Sequence, residues 1–140
     1  MTKAYLTERE RDILHDYHIP GCRVVQTRAH DDWHFSKGNS IEHERKKFEI
    51  AFELYQNGHH FIMEAERNHL DETGARRIVD IVDLSTGDEY EVETDMHRAV
   101  RFVNDAAVTI IPVGWGKEDK KWMDLVQAAK AKAKGGGEQC

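Results

Sequence analysis

Cysteine is nearly absent: Cys22 and the terminal Cys140 are the only two in a chain of 140 residues. Two thiols so placed exclude a disulfide framework. No run approaches the roughly 20 consecutive apolar residues that span a bilayer. No signal-peptide pattern opens the chain either, since MTKAYLTERERD is charged throughout. Both points lead to the expectation of a cytoplasmic protein with no membrane partner. Positive charge is in deficit, with 20 Lys and Arg against 26 Asp and Glu and a net charge of −6. Nucleic-acid partners usually announce themselves by a basic excess, yet a cluster of metal-binding acids would lower the sum while basic side chains still gathered on one face. Internal repeats and dividing linkers are missing as well. What is present, 39% hydrophobic and 33% charged residues, describes one polar globular domain long enough to bury a core.

The chain is organised around residues 76–94, RRIVDIVDLSTGDEYEVET. Val, Ile, Leu and Tyr fill two short arms, and Ser85-Thr86-Gly87-Asp88 supplies turn chemistry between them, so the stretch predicts a β-hairpin. With Ser85 facing Asp88, Leu84 pairs with Glu89, Val82 with Glu91 and Asp80 with Glu93. Side chains alternate along a strand, which gathers Asp80, Glu91 and Glu93 on one face and leaves Asp83 on the other with Ile81, Tyr90 and Val92. Like charges opposed across a sheet destabilise it. Three acids at one spot therefore need compensation, and a divalent metal ion supplies it.

Around this hairpin the chain predicts further elements. Thr7 and Glu10 have capping-box spacing ahead of a short helix over 5–18 with an apolar stripe of Leu6, Ile13, Leu14 and Tyr17. The string LTERERDIL resembles the opening of the helix-turn-helix in one class of bacterial transcription regulators, but Pro20-Gly21 ends the helix and no recognition helix follows. Cys22, His30, His34 and His43 could form a zinc site, although their spacing fits no closed pattern and solvated loop histidines are the simpler reading. Residues 40–57 predict the clearest helix, capped by Asn39 or Ser40 and stopped by Gly58, with Ile41, Phe48, Ala51, Phe52 and Tyr55 as its buried stripe. Glu44 falls within that stripe, while Arg45, Lys46, Lys47, Glu49 and Glu53 fall mostly outside it. A strand over 59–65 follows. After the hairpin, Thr94-Asp95 caps a helix with Met96, Val100 and Val103 on one face. Residues 107–113 read as a strand buried on both faces, Gly114-Trp115-Gly116 breaks it, and a last helix over 118–133 frays into a disordered tail.

From residue 40 onward the order is helix, strand, strand, strand, helix, strand. With Asp80 on the second strand and Glu91-Val92-Glu93 on the third, the chain resembles the PD-(D/E)xK nuclease superfamily, which includes restriction endonucleases, archaeal Holliday-junction resolvases and many phage and viral nucleases. The resemblance covers roughly residues 40–113. It implies an α/β restriction-endonuclease-like αβββαβ core, a mixed central sheet flanked by helices. The core would span 39–116, with an N-terminal helix and loop extension at 1–38, a C-terminal helix at 117–134 and a disordered tail at 135–140. Asp80 matches the metal-binding aspartate, with Val79 where the proline would stand. Glu91 matches the acid of the half-motif, and Glu93 stands where lysine is usual, as it does in a minority of members. Glu44 is the candidate for the helix-borne glutamate, with Glu49 in reserve.

The implied activity is Mg2+-dependent DNA endonuclease chemistry, Mn2+ substituting, by a dimer. Phosphodiester hydrolysis needs a water activated near neutral pH and a charge facing the developing phosphorane, and Mg2+ held by Asp80 and Glu91 does both. Glu93 could accept the water's proton or bind a second ion. Arg45, Lys46, Lys47, Arg76 and Arg77 are candidate phosphate contacts. A non-enzymatic nucleic-acid-binding or assembly protein that keeps the fold is the alternative, and a transcription regulator working through the N-terminal helix a further one.

Overall fold

The computed structural model describes residues 6–20, 33–70 and 74–138. The zinc candidates Cys22 and His30 lie outside them. Helix α1 (Glu8–Leu14) starts where sequence places it: Thr7 Oγ1 accepts from the Glu10 amide at 3.1 Å, and the Glu10 carboxylate accepts from the Thr7 amide at 2.8 Å. The chain then forms β1 (Tyr17–His18), α2 (Ile41–Gln56), β2 (Phe61–Arg67), β3 (Ile78–Asp83) and β4 (Glu89–Glu93). Short α3 (Met96–Ala99) runs on as a 3-10 turn, Val100–Phe102, before β5 (Val108–Pro112) and α4 (Lys117–Glu138).

The five strands form one mixed sheet in the order β1-β2-β3-β4-β5, antiparallel throughout except for the parallel pair β4–β5. That parallel step requires a crossover, and α3 with its 3-10 turn makes it. From α2 onward the element order is the expected one. Residues of β2 serve opposite faces in turn as far as Met63, and the left-handed backbone at Glu64 then resets the alternation: Phe61 and Met63 pack with Ala51 and Leu54 of α2, whereas Ile62 and Ala65 pack with Leu6 and, from α1, Ile13 and Leu14. A third cluster joins Val108 and Ile110 of β5 to Ala99, Phe102, Trp115 and Met123. Lys130 ties α4 down by donating to the carbonyls of Phe102 and Val108 at 2.7 and 2.8 Å. Among the described residues no helix is long and apolar enough to cross a membrane.

Four expectations are corrected. Helix α2 buries Lys47, Ala51 and Leu54, while Ile41, Phe48, Phe52 and Tyr55 stay exposed. The face turned to the sheet is the 44/47/51/54 row, because small Ala51 lets the helix approach and Leu54 fills the space over Phe61 and Met63. In the α3 region Ala99 and Phe102 are the buried positions and Val100 faces solvent, since the tighter 3-10 turn rotates the face that meets β5. Strand β5 is an edge strand with Val108 and Ile110 buried and its alternate residues half-buried. Helix α4 continues to Glu138, past the expected end, through Gly135, Gly136 and Gly137, poor helix formers that prolong the Ala- and Lys-rich turns before them.

The hairpin register also differs from expectation, by two residues. Ile81 pairs with Tyr90 and Val82 with Glu89, and the Asp83 amide donates to the Asp88 carbonyl at 2.8 Å. The turn is longer than Ser85–Asp88 alone. Asp83 Oδ1 accepts from the Ser85 amide at 2.8 Å, and Gly87 closes the loop at φ 86°, a conformation open to glycine. A two-residue shift preserves the face of every side chain, but it brings Asp80 opposite Glu91 instead of Glu93.

Candidate metal centre

Beyond Ile81 and Tyr90, strands β3 and β4 stop pairing through their backbones. Strand β3 continues beside β2 as far as Ile78, and β4 continues beside β5 as far as Glu93. The Asp80 carboxylate fills the split. Its Oδ2 accepts from the Val92 amide at 2.7 Å, taking a donor that a regular ladder would give to a carbonyl. The same oxygen lies 3.3 Å from His43 Nε2 on α2.

Glu91 meets Asp80 from β4. Both are buried, with 8% of Asp80 and 7% of Glu91 exposed. Burial, then the neighbouring Asp80 carboxylate, pushes the Glu91 carboxyl well above the usual range. Glu91 Oε2 is fully enclosed and accepts no hydrogen bond from any described residue. Buried acceptors in native proteins are nearly always satisfied, so this oxygen calls for a partner.

Helix α2 closes the centre from above. His43 bridges two acids, with Nδ1 2.9 Å from Glu44 Oε1 and Nε2 facing Asp80. The hydrogen bond to Asp80 outweighs burial and, with Glu44, holds the imidazole up at about 8. Burial alone would raise Glu44. Hydrogen bonds from Asn39, Lys47, His43 and the Ser36 amide overcome it and hold that carboxyl at about 2. Lys47, wholly inaccessible, places Nζ 3.1 Å from Glu44 and 3.8 Å from Glu64. Glu64 lies between the pairs Met63–Ile81 and Ala65–Val79, level with Asp80 on the neighbouring strand. Its φ is 50°, a left-handed conformation rare for a non-glycine residue within a strand, and its other oxygen lies 2.9 Å from His34 Nε2.

Of the residues singled out from sequence, Asp80 and Glu91 come into direct contact, and Glu44 joins them through His43. Glu93 is buried close by and adds to the charge around Glu91, but Oε1 accepts from the Asp95 amide at 3.0 Å at the start of α3. Glu49 pairs with Lys46 on the surface at 3.3 Å. Lys47 cannot be a surface phosphate contact, because its face of α2 is the buried one. Arg45 and Lys46 line an open groove with Pro112 and Val113. Arg76 is exposed. Arg77 lies over the Phe102 ring at 5.5 Å, and Arg101 lies over the same ring at 5.0 Å. Arg101 also exerts a favourable field on the Glu91 carboxylate.

Sequence reading missed His43, Lys47, Glu64 and Arg101 as parts of one centre. Lys47 had a usable signal, since Glu44, Lys47, Ala51 and Leu54 recur at helical spacing. Glu64 had none. The zinc candidates His34 and His43 are each committed to carboxylates. Among the described residues no group of three or more His, Cys, Asp or Glu side chains is already drawn round one point as metal ligands.

A second acid cluster lies on the sheet face opposite α2 and is structural. Arg67 reaches from β2 to Glu89 with a bidentate pairing and to Asp105 at 2.9 Å, and the Tyr17 hydroxyl donates to Glu89. Comparison of the chain with protein-family models, with curated proteins and with solved structures returns no match.

Proposed function

We propose that the split between β3 and β4 holds a divalent cation, Mg2+ or Mn2+, and that the protein is a DNA endonuclease with a restriction-endonuclease-like core. The observation that carries this reading is the buried Asp80–Glu91 pair with one carboxylate oxygen left unpartnered. Two buried carboxylates in contact repel, and hard oxygen donors of this kind suit Mg2+. Asp80 and Glu91 would hold the ion. Bound there, it would supply an activated water and positive charge for phosphodiester hydrolysis.

The other side chains then take distinct parts. His43, held up at about 8 between Asp80 and Glu44, stays charged near neutral pH and fixes the Asp80 carboxylate in place. Lys47, buried beneath the helix, balances the charge of Glu44 and Glu64 beside the centre. Arg77 and Arg101 are steadied on Phe102, Arg101 within the field of Glu91, and both would meet a phosphodiester backbone.

The test is cleavage of supercoiled plasmid and of branched DNA in Mg2+, in Mn2+ and in EDTA. Wild type should cut only with the metals, and Asp80→Ala and Glu91→Ala should lose the activity. Nicking by Asp80→Ala at the wild-type rate sinks the assignment.

A further inference from the structure

Sequence places Glu44 among the acids that complete a metal site, but its hydrogen bonds give it another task. An ionised carboxylate offers about four acceptor positions. Four donors fill those of Glu44: Oε1 accepts from Asn39 Nδ2 at 2.8 Å and lies 2.9 Å from His43 Nδ1, and Oε2 accepts from the Ser36 amide and from Lys47 Nζ, both at 3.1 Å. Lys47 is an ammonium with no exposure to water, so a metal ion at Glu44 would meet like charge in a buried setting.

Lys47 and His43 belong to α2 itself, whereas Ser36 and Asn39 belong to the segment that leads into it. That segment is tied again at its start. The His34 amide donates to Met63 Sδ at 3.1 Å, His34 Nε2 lies 2.9 Å from Glu64, and the Phe35 ring centre is 5.5 Å from Lys47 Nζ. Residues 33–39 thus form a strap, fastened to Glu64 at one end and to Glu44 at the other. Glu44 also holds the His43 ring from its Nδ1 side, which leaves Nε2 facing Asp80. Glu93 has Oε1 taken by the Asp95 amide. Asp80 and Glu91 are what remains for an ion.

We infer that Glu44 is a positioning residue and not a metal ligand: it fastens the 33–39 strap to α2, sets His43 against Asp80, and leaves a single divalent ion to Asp80 and Glu91. The ion count rests on the reading of this centre as a metal site; the fastening of the strap does not.

The test uses the full chain and Mn2+. Binding is followed by calorimetry and by the electron paramagnetic resonance of the ion, with bound waters counted from line broadening in isotopically labelled water. Wild type should bind one ion, with about four waters completing an octahedron around the two carboxylates. Glu44→Gln keeps the side chain's shape and turns one acceptor into a donor. It should still bind one ion with the same water count, about tenfold more weakly. In EDTA, its amide hydrogen exchange across 33–39 should rise about tenfold or more. Asn39→Ala, a change at an exposed site that should leave the circular dichroism spectrum intact, should raise exchange in the same stretch. A second ion in wild type, or an added water on the ion in Glu44→Gln, overturns the inference. Unchanged exchange in both variants overturns the strap, and unchanged Mn2+ affinity in Glu44→Gln overturns the positioning role. A wild type that binds no Mn2+ sinks the metal reading and the ion count with it, while the exchange results in EDTA still decide the strap.

Discussion

Replacing Glu91 by Gln separates the two demands made on the Asp80–Glu91 pair. Without metal, the native carboxylate carries a desolvation penalty, repulsion from Asp80 and an oxygen without a partner. Leaving a buried polar group unsatisfied costs about 1–3 kcal/mol, and the introduced amide can donate a hydrogen bond to Asp80. Glu91→Gln should therefore stabilise the metal-free protein by about 1–2 kcal/mol. For a chain of this length that raises Tm by roughly 3–8 °C.

The pH dependence of that gain has a definite sign. The folded state raises the Glu91 carboxyl, so the native protein binds the extra proton and loses stability as pH rises above the ordinary carboxylate range and on through the raised value. The advantage of Glu91→Gln should grow with rising pH and vanish in acid. Metal reverses the ranking. At about a hundred times its Kd, a ligand specific to the folded state adds about 2.7 kcal/mol, which only the wild type should receive. Scanning calorimetry of both proteins in EDTA and in Mg2+ or Mn2+ should show Tm values that cross. A variant less stable than wild type in EDTA refutes the strain, and equal metal shifts in both proteins refute Glu91 as a ligand.

Three further outcomes follow from the same contacts. Folding holds Glu10 and Glu44 at about 2, below their ordinary 4.5; the stability they add should be complete above pH 4.5 and fall away toward pH 2, and urea melts of Glu10→Gln should lose part of that acid slope, on the order of 1–2 kcal/mol. Arg67→Met strands Glu89 in the buried network and should destabilise by about 3–5 kcal/mol, whereas Arg67→Met with Glu89→Met should recover most of it; additive losses in denaturant melts would speak against a coupled pair. Lys47→Met and Glu64→Gln should be non-additive by about 1–2 kcal/mol in a double-mutant cycle, because each leaves the other's charge buried; a coupling near zero would detach Glu64 from the centre.

Local chemistry was readable along the chain. The capping box of α1, the Ser40 cap of α2, the Asp95 cap of α3 and the order of elements from residue 40 all follow from side chains acting on their own backbone. Asp80 and Glu91 were legible because strand alternation survives a two-residue error in register. The error itself came from Asp83, whose side chain closes a longer turn than the Ser-Thr-Gly-Asp string implies. Helix α2 misled for a different reason: hydrophobicity identifies a face that is buried somewhere, without saying against what. Here the sheet receives the face bearing Lys47, because Glu44 and Glu64 wait there to pair with it. Contacts of that kind join β2, α2 and the segment before it, and no window of sequence contains all three.

The left-handed turn of the backbone at Glu64 sets two local costs against each other. A side chain in that conformation costs roughly 1–2 kcal/mol relative to glycine, which adopts it freely. Glu64→Gly would release that strain and at the same time cut the links to buried Lys47 and to His34. A carboxylate kept where glycine would sit without strain marks a position decided by charge pairing instead of backbone ease.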